Sequence, residues 1–186
     1  MKKDLVEVRF HGRGGQGAWT ASLLLAQAGL KERKYIQSFP TFGPERAGAP
    51  ITAYTRISDE PIHLHSSVYE PDVVVVLDPT LLGPAVVEGT NSETKLIINS
   101  GLEPGDVTEG LGVKVAETWV LDATSLAIKV LGRPITNTAM LGAVVRATEL
   151  VRLESLLAAV RDRFSGRIGE LNQELIETAY KEAVRG

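Results

Sequence analysis

A chain of 186 residues without cysteine, with 20 Lys and Arg against 23 Asp and Glu and a formal net charge of -3, can bury one sizeable core without disulfides. Its scattered, slightly acidic charge excludes a basic nucleic-acid-binding face, and the lack of thiols excludes a zinc-thiolate site or a cysteine-ligated iron–sulfur cluster built from this chain alone. No apolar run approaches the ~20 residues that span a bilayer, and "MKKDLVEVRF" has no signal-peptide core, so the expectation is a soluble, cytoplasmic protein, a single domain over residues 1–186.

The opening "LVEVRFH" alternates like a half-buried strand. The glycines of "GRGGQG" at 12–17 break that pattern, and "AWTASLLLAQAGLKER" has the Ala and Leu content of a helix ending near Gly29. "KYIQSFP" is a second strand, and "TFGPERAGAP", with two prolines and two glycines, reads as a long loop. "ITAYTRIS" and "PIHLHSS", separated by Asp59 and Glu60, predict an antiparallel hairpin with Ile51, Ala53, Thr55 and Ile57 on one face. "PDVVVVLDP" is almost wholly apolar and bounded by prolines, as a central strand covered on both faces should be. "TKLIINS" and "VKVAETWVLD" are further strands, with "NSGLEPGDVTEGLG" as a loop between them. From about residue 123 helices dominate: one capped by Thr136 or Asn137 through "TAMLGAVVRATEL", then "LESLLAAVRDRF", then "GELNQELIETAYKEAVR" to the end. The predicted fold class is α/β, a three-layer α/β/α arrangement with a mixed, mostly parallel central sheet, a Rossmann-like start and a helical C-terminal third.

The glycine loop is the first candidate for chemistry. Gly12, Gly14 and Gly17 satisfy G-x-G-x-x-G between a strand and a helix. Glycine lets backbone N–H groups approach an anion, and the helix start adds unpaired donors and a positive dipole end; Arg13 and Gln16 add a charge and an amide. A dinucleotide site also needs an acid about 20 residues further on, at the end of the second strand, where "YIQSFPTF" has none before Glu45. A Walker loop fails because Ala18 and Trp19 follow Gly17 in place of Lys and Ser or Thr. A close structural turn and a site for a phosphate or nucleotide fragment therefore both remain open.

Other candidates carry less. His63 and His65, two apart on one strand face, could chelate a metal, but His11 is the only other histidine, and an ordinary exposed face is the expectation; no metal site is assigned. Asp78 and Asp122 follow predicted strands, where they either cap a turn or helix or face a ligand at the sheet edge. In the proline-rich loop, Gly43, Pro44, Glu45, Arg46 and Gly48 present one acid and one guanidinium on a shaped segment suited to a contact surface. There is no G-x-S-x-G elbow, no H-E-x-x-H and no nucleophile with a visible base, so no catalytic residue is assigned.

In series, "GRGGQG" at 12–17, "FGPERAGAP" at 42–50, "PDVVVVLDPTLL" at 71–82 and "NTAMLGA" at 137–143 resemble the gamma subunits of pyruvate and related 2-oxoacid:ferredoxin oxidoreductases. The resemblance implies an assembly of alpha, beta, gamma and delta subunits that uses thiamine diphosphate, Mg²⁺, [4Fe-4S] clusters and coenzyme A, with the first three held by the other subunits and electrons passing to ferredoxin. It makes this chain a structural subunit without its own cofactor, whose Gly12, Arg13, Gly14, Gly15, Gln16 and Gly17 contact coenzyme A or another anion and whose segment 42–50 lies at a subunit interface. "GPERAGAP" and the "RIS" at 56–58 look more like subunits acting on pyruvate than on 2-oxoglutarate, with branched-chain 2-oxoacids next. Gly105 and Asp106 start a thiamine-type G-D-G, but Val107 replaces its second glycine. The rival from another class is a free-standing nucleotide-binding module.

Overall fold

A computed structural model describes residues 4–41, 48–109 and 111–186. Seven strands form one sheet in the order β2-β3-β1-β4-β5-β6-β7. They comprise β1 (Leu5–Arg13), β2 (Tyr35–Pro40), β3 (Pro50–Ser58), β4 (Val73–Val76), β5 (Lys95–Asn99), β6 (Glu117–Leu121) and β7 (Val184–Arg185). The central β1, β4, β5 and β6 are parallel, while β2 and β3 on one side and β7 on the other pair antiparallel. The helices are α1 (Ala18–Lys31), α2 (Pro84–Val87), α3 (Pro104–Thr108), α4 (Ala123–Leu131), α5 (Asn137–Thr148), α6 (Leu153–Arg163) and α7 (Gly166–Glu182). This is the mixed α/β sheet expected.

The two faces of the sheet are unequal. Val8, Phe10, Val73, Val75, Ile97 and Leu121 point into the larger core, with buried residues of α1 and α4 to α7. Val74, Val76, Leu96, Ile98 and Val120 point the other way, into a smaller core with Val86 of α2 and Val107 of α3. All four valines of β4 are buried, which is why its sequence shows no alternation.

Two expectations are corrected. "PIHLHSS" is no strand: β3 is bonded to β1 along one edge and to β2 along the other, so no edge remains for it. The segment instead crosses over, and Arg56 donates to the Ser66 carbonyl at 2.9 Å. The hairpin is β2–β3. The chain also does not end as a helix, because α7 stops at Glu182 and Val184 and Arg185 pair with Val120 and Trp119. Within the loop "NSGLEPGDVTEGLG", Pro104 starts the one-turn α3.

Two features place the site. Gly29 of α1 lies so near the sheet that a Cβ would stand 3.2 Å from Ile36 and Ile57, so α1 packs closely over β2 and β3. The chain leaves β1 towards β2 and β3 on one side and reaches β4 on the other. The carboxyl end of β1 is thus a topological switch point, the crevice where open α/β sheets take ligands.

Candidate functional site

Strand β1 runs through Gly12 and Arg13, so the glycine loop proper is Gly14 to Gly17. Gln16 closes it: its amide N–H donates to the Arg13 carbonyl at 3.0 Å, and its Oε1 accepts from the Arg13 N–H at 2.7 Å. Each glycine has its own reason. A Cβ on Gly12 would meet the Ala18 Cβ at 3.3 Å, and one on Gly17, already at φ +79, would overlap the Asn137 amide. Gly15, at φ +96, has open space where its side chain would be. Gly12 and Gly17 therefore let α1 and α5 pack against the strand end, while Gly15 is the bare point of the loop. No side chain caps the start of α1 and no acid lies in its first turn, which leaves orphan amides and the positive dipole end for an outside acceptor. Trp19, in that first turn, is 52% exposed.

Arg13 and Gln16 do not stand free. Arg13 Nε lies 3.1 Å and Gln16 Nε2 2.8 Å from Asp78 Oδ2, and the other carboxylate oxygen accepts from the Thr80 amide at 3.0 Å and the Thr80 hydroxyl at 2.6 Å. Arg13 Nη2 in turn donates to Thr80 Oγ1 at 2.8 Å. Burial alone would raise the Asp78 pKa, but the hydrogen bonds from Thr80 and Gln16 and the charge of Arg13 outweigh it and hold the carboxyl below its ordinary value. Asp78 thus caps the short 3-10 turn at Pro79–Leu81 and also neutralises Arg13. The charge and amide expected to face an anion are engaged by Asp78, and what the loop offers outward is backbone. Asp122 is a plain helix cap, accepting from the Ser125 amide at 2.9 Å.

The glycine loop is clasped to the end of the proline-rich segment. The Gly14 N–H donates to the Ala49 carbonyl at 2.8 Å, the Gly48 N–H donates back to the Gly14 carbonyl at 3.1 Å, and Arg13 Nη1 donates to the Gly48 carbonyl at 3.2 Å. Gly48, at φ +82, makes the turn that allows this exchange. Gly43, Pro44, Glu45 and Arg46 lie outside the described residues. His63 and His65 are exposed on the irregular crossover, and among the described residues no three His, Cys, Asp or Glu side chains group as metal ligands.

Sequence reasoning passed over the other face of β1. Its odd positions Glu7, Arg9 and His11 stand opposite Arg56, Tyr54 and Thr52 of β3, and although polar they are largely covered. Arg9 is 6% and His11 8% exposed. Both line a cleft of about 810 Å³ between this face, Ser67–Glu70 and Thr80–Gly89. Arg9 Nη2 donates to the Val86 and Glu88 carbonyls at 2.9 and 2.6 Å, but Arg9 Nε and His11 Nε2 are buried without a partner among the described residues. Each such group costs about 1–3 kcal/mol, more when charged. Burial, and then the charge of Arg9, lower the His11 pKa to about 4, so the imidazole is neutral. The signal was two polar residues in a strand beside the glycine loop, which look identical to a solvent face unless the covering segments are known.

Residues 7–182 match the pyruvate ferredoxin/flavodoxin oxidoreductase family. The chain is 51% identical, over 97% of its own length and 98% of the relative's, to the pyruvate/ketoisovalerate oxidoreductases common subunit gamma of Thermococcus kodakarensis. It is 47% identical, over 97% and 98%, to the pyruvate synthase subunit PorC of Methanocaldococcus jannaschii. The crystal structure of the pyruvate oxidoreductase subunit PORC of Thermotoga maritima superposes with a TM-score of 0.90 at 40% identity, covering 99% of both chains. A 2-oxoglutarate:ferredoxin oxidoreductase from Magnetococcus marinus shares the fold at 18% identity and a TM-score of 0.74, over 97% of this chain and 31% of that longer one. With residues 7–182 matched and relatives 47–51% identical over 97% of its length, this chain belongs to the pyruvate ferredoxin/flavodoxin oxidoreductase family.

Proposed function

We propose that the chain works as one domain, in the cytoplasm, as the gamma subunit of a pyruvate:ferredoxin oxidoreductase. The complete enzyme, with alpha, beta and delta subunits, decarboxylates pyruvate, transfers the acetyl group to coenzyme A, releases CO₂ and delivers the electron pair to ferredoxin. The observation that carries this reading is the end-to-end correspondence with gamma and PorC subunits at 44–51% identity. No helix among the described residues is long and apolar enough to cross a membrane.

The cofactors implied by the family divide by fit. A chain without cysteine supplies no thiolate for an iron–sulfur cluster, and without a grouped set of acidic or imidazole side chains among the described residues it offers no cradle for Mg²⁺ and thiamine diphosphate. Those groups belong on the partner subunits. Coenzyme A fits better: Gly15 faces open space, and the uncapped start of α1 leaves amides for a diphosphate. The Gly14 to Gly17 backbone approaches that diphosphate, or a carboxylate of another subunit, while segment 42–50 and the exposed Trp19 meet a partner subunit.

The test is reconstitution with alpha, beta and delta subunits, with pyruvate and 2-ketoisovalerate compared as substrates. Pyruvate-dependent ferredoxin reduction that requires this chain supports the reading, and full activity without it overturns the reading. Within the complex, Gly15→Val raises the KM for coenzyme A if the diphosphate lies against the loop and leaves it unchanged if a subunit carboxylate does. Deleting residues 43–46 prevents assembly while the free chain still melts cooperatively.

A further inference from the structure

We infer that Asn137 is a ligand-binding residue: with the starts of α1 and α5 it forms a site for the phosphate group of a phosphate ester, and Asn137 Nδ2 supplies a side-chain donor to it. This rests on the reading that the glycine loop takes an anion, and goes beyond it by fixing the chemistry of the anion and adding a second helix. The first residue of α5 abuts the N-cap of α1, so that Asn137 Nδ2 occupies the place a Gly17 side chain would take. Asn137 Oδ1 accepts from the Thr138 amide at 2.8 Å, which identifies the nitrogen as the atom turned towards Gly17. The residue is only 7% exposed. Its Nδ2 nevertheless has no hydrogen-bond partner among the described residues and, unlike Arg9 Nε and His11 Nε2, is not sealed from solvent. A largely buried amide donor left open at one point is costly until an acceptor reaches it.

The backbone beside it favours the same ligand. In α1 the Ala21 amide donates to the Gly17 carbonyl at 2.9 Å, and in α5 the Met140 amide donates to the Thr136 carbonyl at 2.9 Å. The amides that precede them in each helix have no partner within it. Neither N-cap residue lends a side chain, and neither first turn holds an acid, so two positive helix ends lie together without a carboxylate of their own. Thr138 Oγ1 donates to Asn172 Oδ1 of α7 at 2.7 Å, which holds the start of α5 in position. With Arg13 engaged by Asp78 at 3.1 Å, the loop offers no guanidinium fork to match the two coplanar oxygens of a carboxylate. It offers single N–H groups from two helix starts, and the tetrahedral oxygens of a phosphate group accept from such separate directions.

The experiment is calorimetric titration with coenzyme A, without pyruvate, of the full chain and of the reconstituted complex, in the wild type, Asn137→Asp and Gly15→Val. Asn137→Asp keeps the size of the side chain and the acceptor for the Thr138 amide, and an acid in the first turn favours the helix, so the Tm should hold or rise. The same change exchanges a donor for a negative charge facing the phosphate, and the dissociation constant should rise at least tenfold. Inorganic diphosphate should compete with coenzyme A at matched ionic strength, and acetate should not. Weakened binding at an undiminished Tm supports the inference. A fall in Tm would assign the amide to packing against Gly17, and equal competition by acetate would assign the site to carboxylates; either overturns it. Binding unchanged in Asn137→Asp but weakened in Gly15→Val overturns the role of Asn137 and leaves the glycine loop as the site. Binding unchanged in both variants, or absent from the wild-type chain and complex alike, overturns the anion reading of the loop as well.

Discussion

Gly15 and Gly17 stand two residues apart, both at positive φ, and should answer substitution differently. At Gly17 an added methyl group meets the Asn137 amide at the start of α5, so Gly17→Ala combines left-handed strain with a steric conflict between two helix starts. The expected loss is about 2–3 kcal/mol of unfolding free energy in a urea titration. Gly15→Ala meets nothing within 4 Å and should lose only the conformational share, about 1 kcal/mol. Equal losses at the two positions would show that Asn137 moves aside freely. The same contrast explains why the pattern G-x-G-x-x-G alone could not decide between a turn and a site. Its glycines carry both roles at once, and the side chain that separates them lies 120 residues away along the chain.

At the scale of elements, α5 and α7 meet more closely than ordinary helix packing allows. A Cβ on Gly142 would lie 2.5 Å from the Ile176 carbonyl oxygen and 2.9 Å from the Ala179 Cβ. Gly142→Ala is therefore expected to cost about 1–3 kcal/mol by pushing the helices apart, measured as a fall in Tm, although alanine is the better helix former. A mutant at least as stable as the wild type would show that α7 can shift without loss. This glycine sits inside "NTAMLGA", so part of that motif's character is packing. Elements like these were legible where local pattern and tertiary context agree. The four buried valines of β4 announce a strand covered on both sides, and the apolar spacing of α5 to α7 announces helices. The failures lie where a neighbour decides. "PIHLHSS" has strand composition, but β3 has no free edge for it, and Val184–Arg185 is a strand only because β6 offers one. Arg9 and His11 were unreadable for the same reason, since alternation reveals two faces and not which covering segment closes over the polar one.

For the whole molecule, the buried neutral His11 sets an acid limit. Its pKa falls from 6.5 to about 4 on folding, so between those values the unfolded chain binds a proton that the folded chain refuses. Stability is then fully present above about pH 6.5 and declines as the pH falls towards 4. A difference of 6.5 minus about 4 corresponds to about 3 kcal/mol at the low end. In His11→Gln the drop in urea-unfolding free energy from pH 7 to pH 4.5 should be smaller by about 2 kcal/mol; an unchanged pH profile would place the titration elsewhere.

The paired hydrogen bonds between Gly14 and Gly48–Ala49 make the glycine loop and the entry to β3 a single mechanical unit. A partner that holds Gly48 and Ala49 also holds the amide plane at Gly14. By thermodynamic reciprocity, an anion that favours the same loop geometry strengthens attachment of that partner by the factor by which the partner strengthens the anion. Quaternary assembly and ligand occupancy would then be two readings of one equilibrium, with the clasp as their shared hinge.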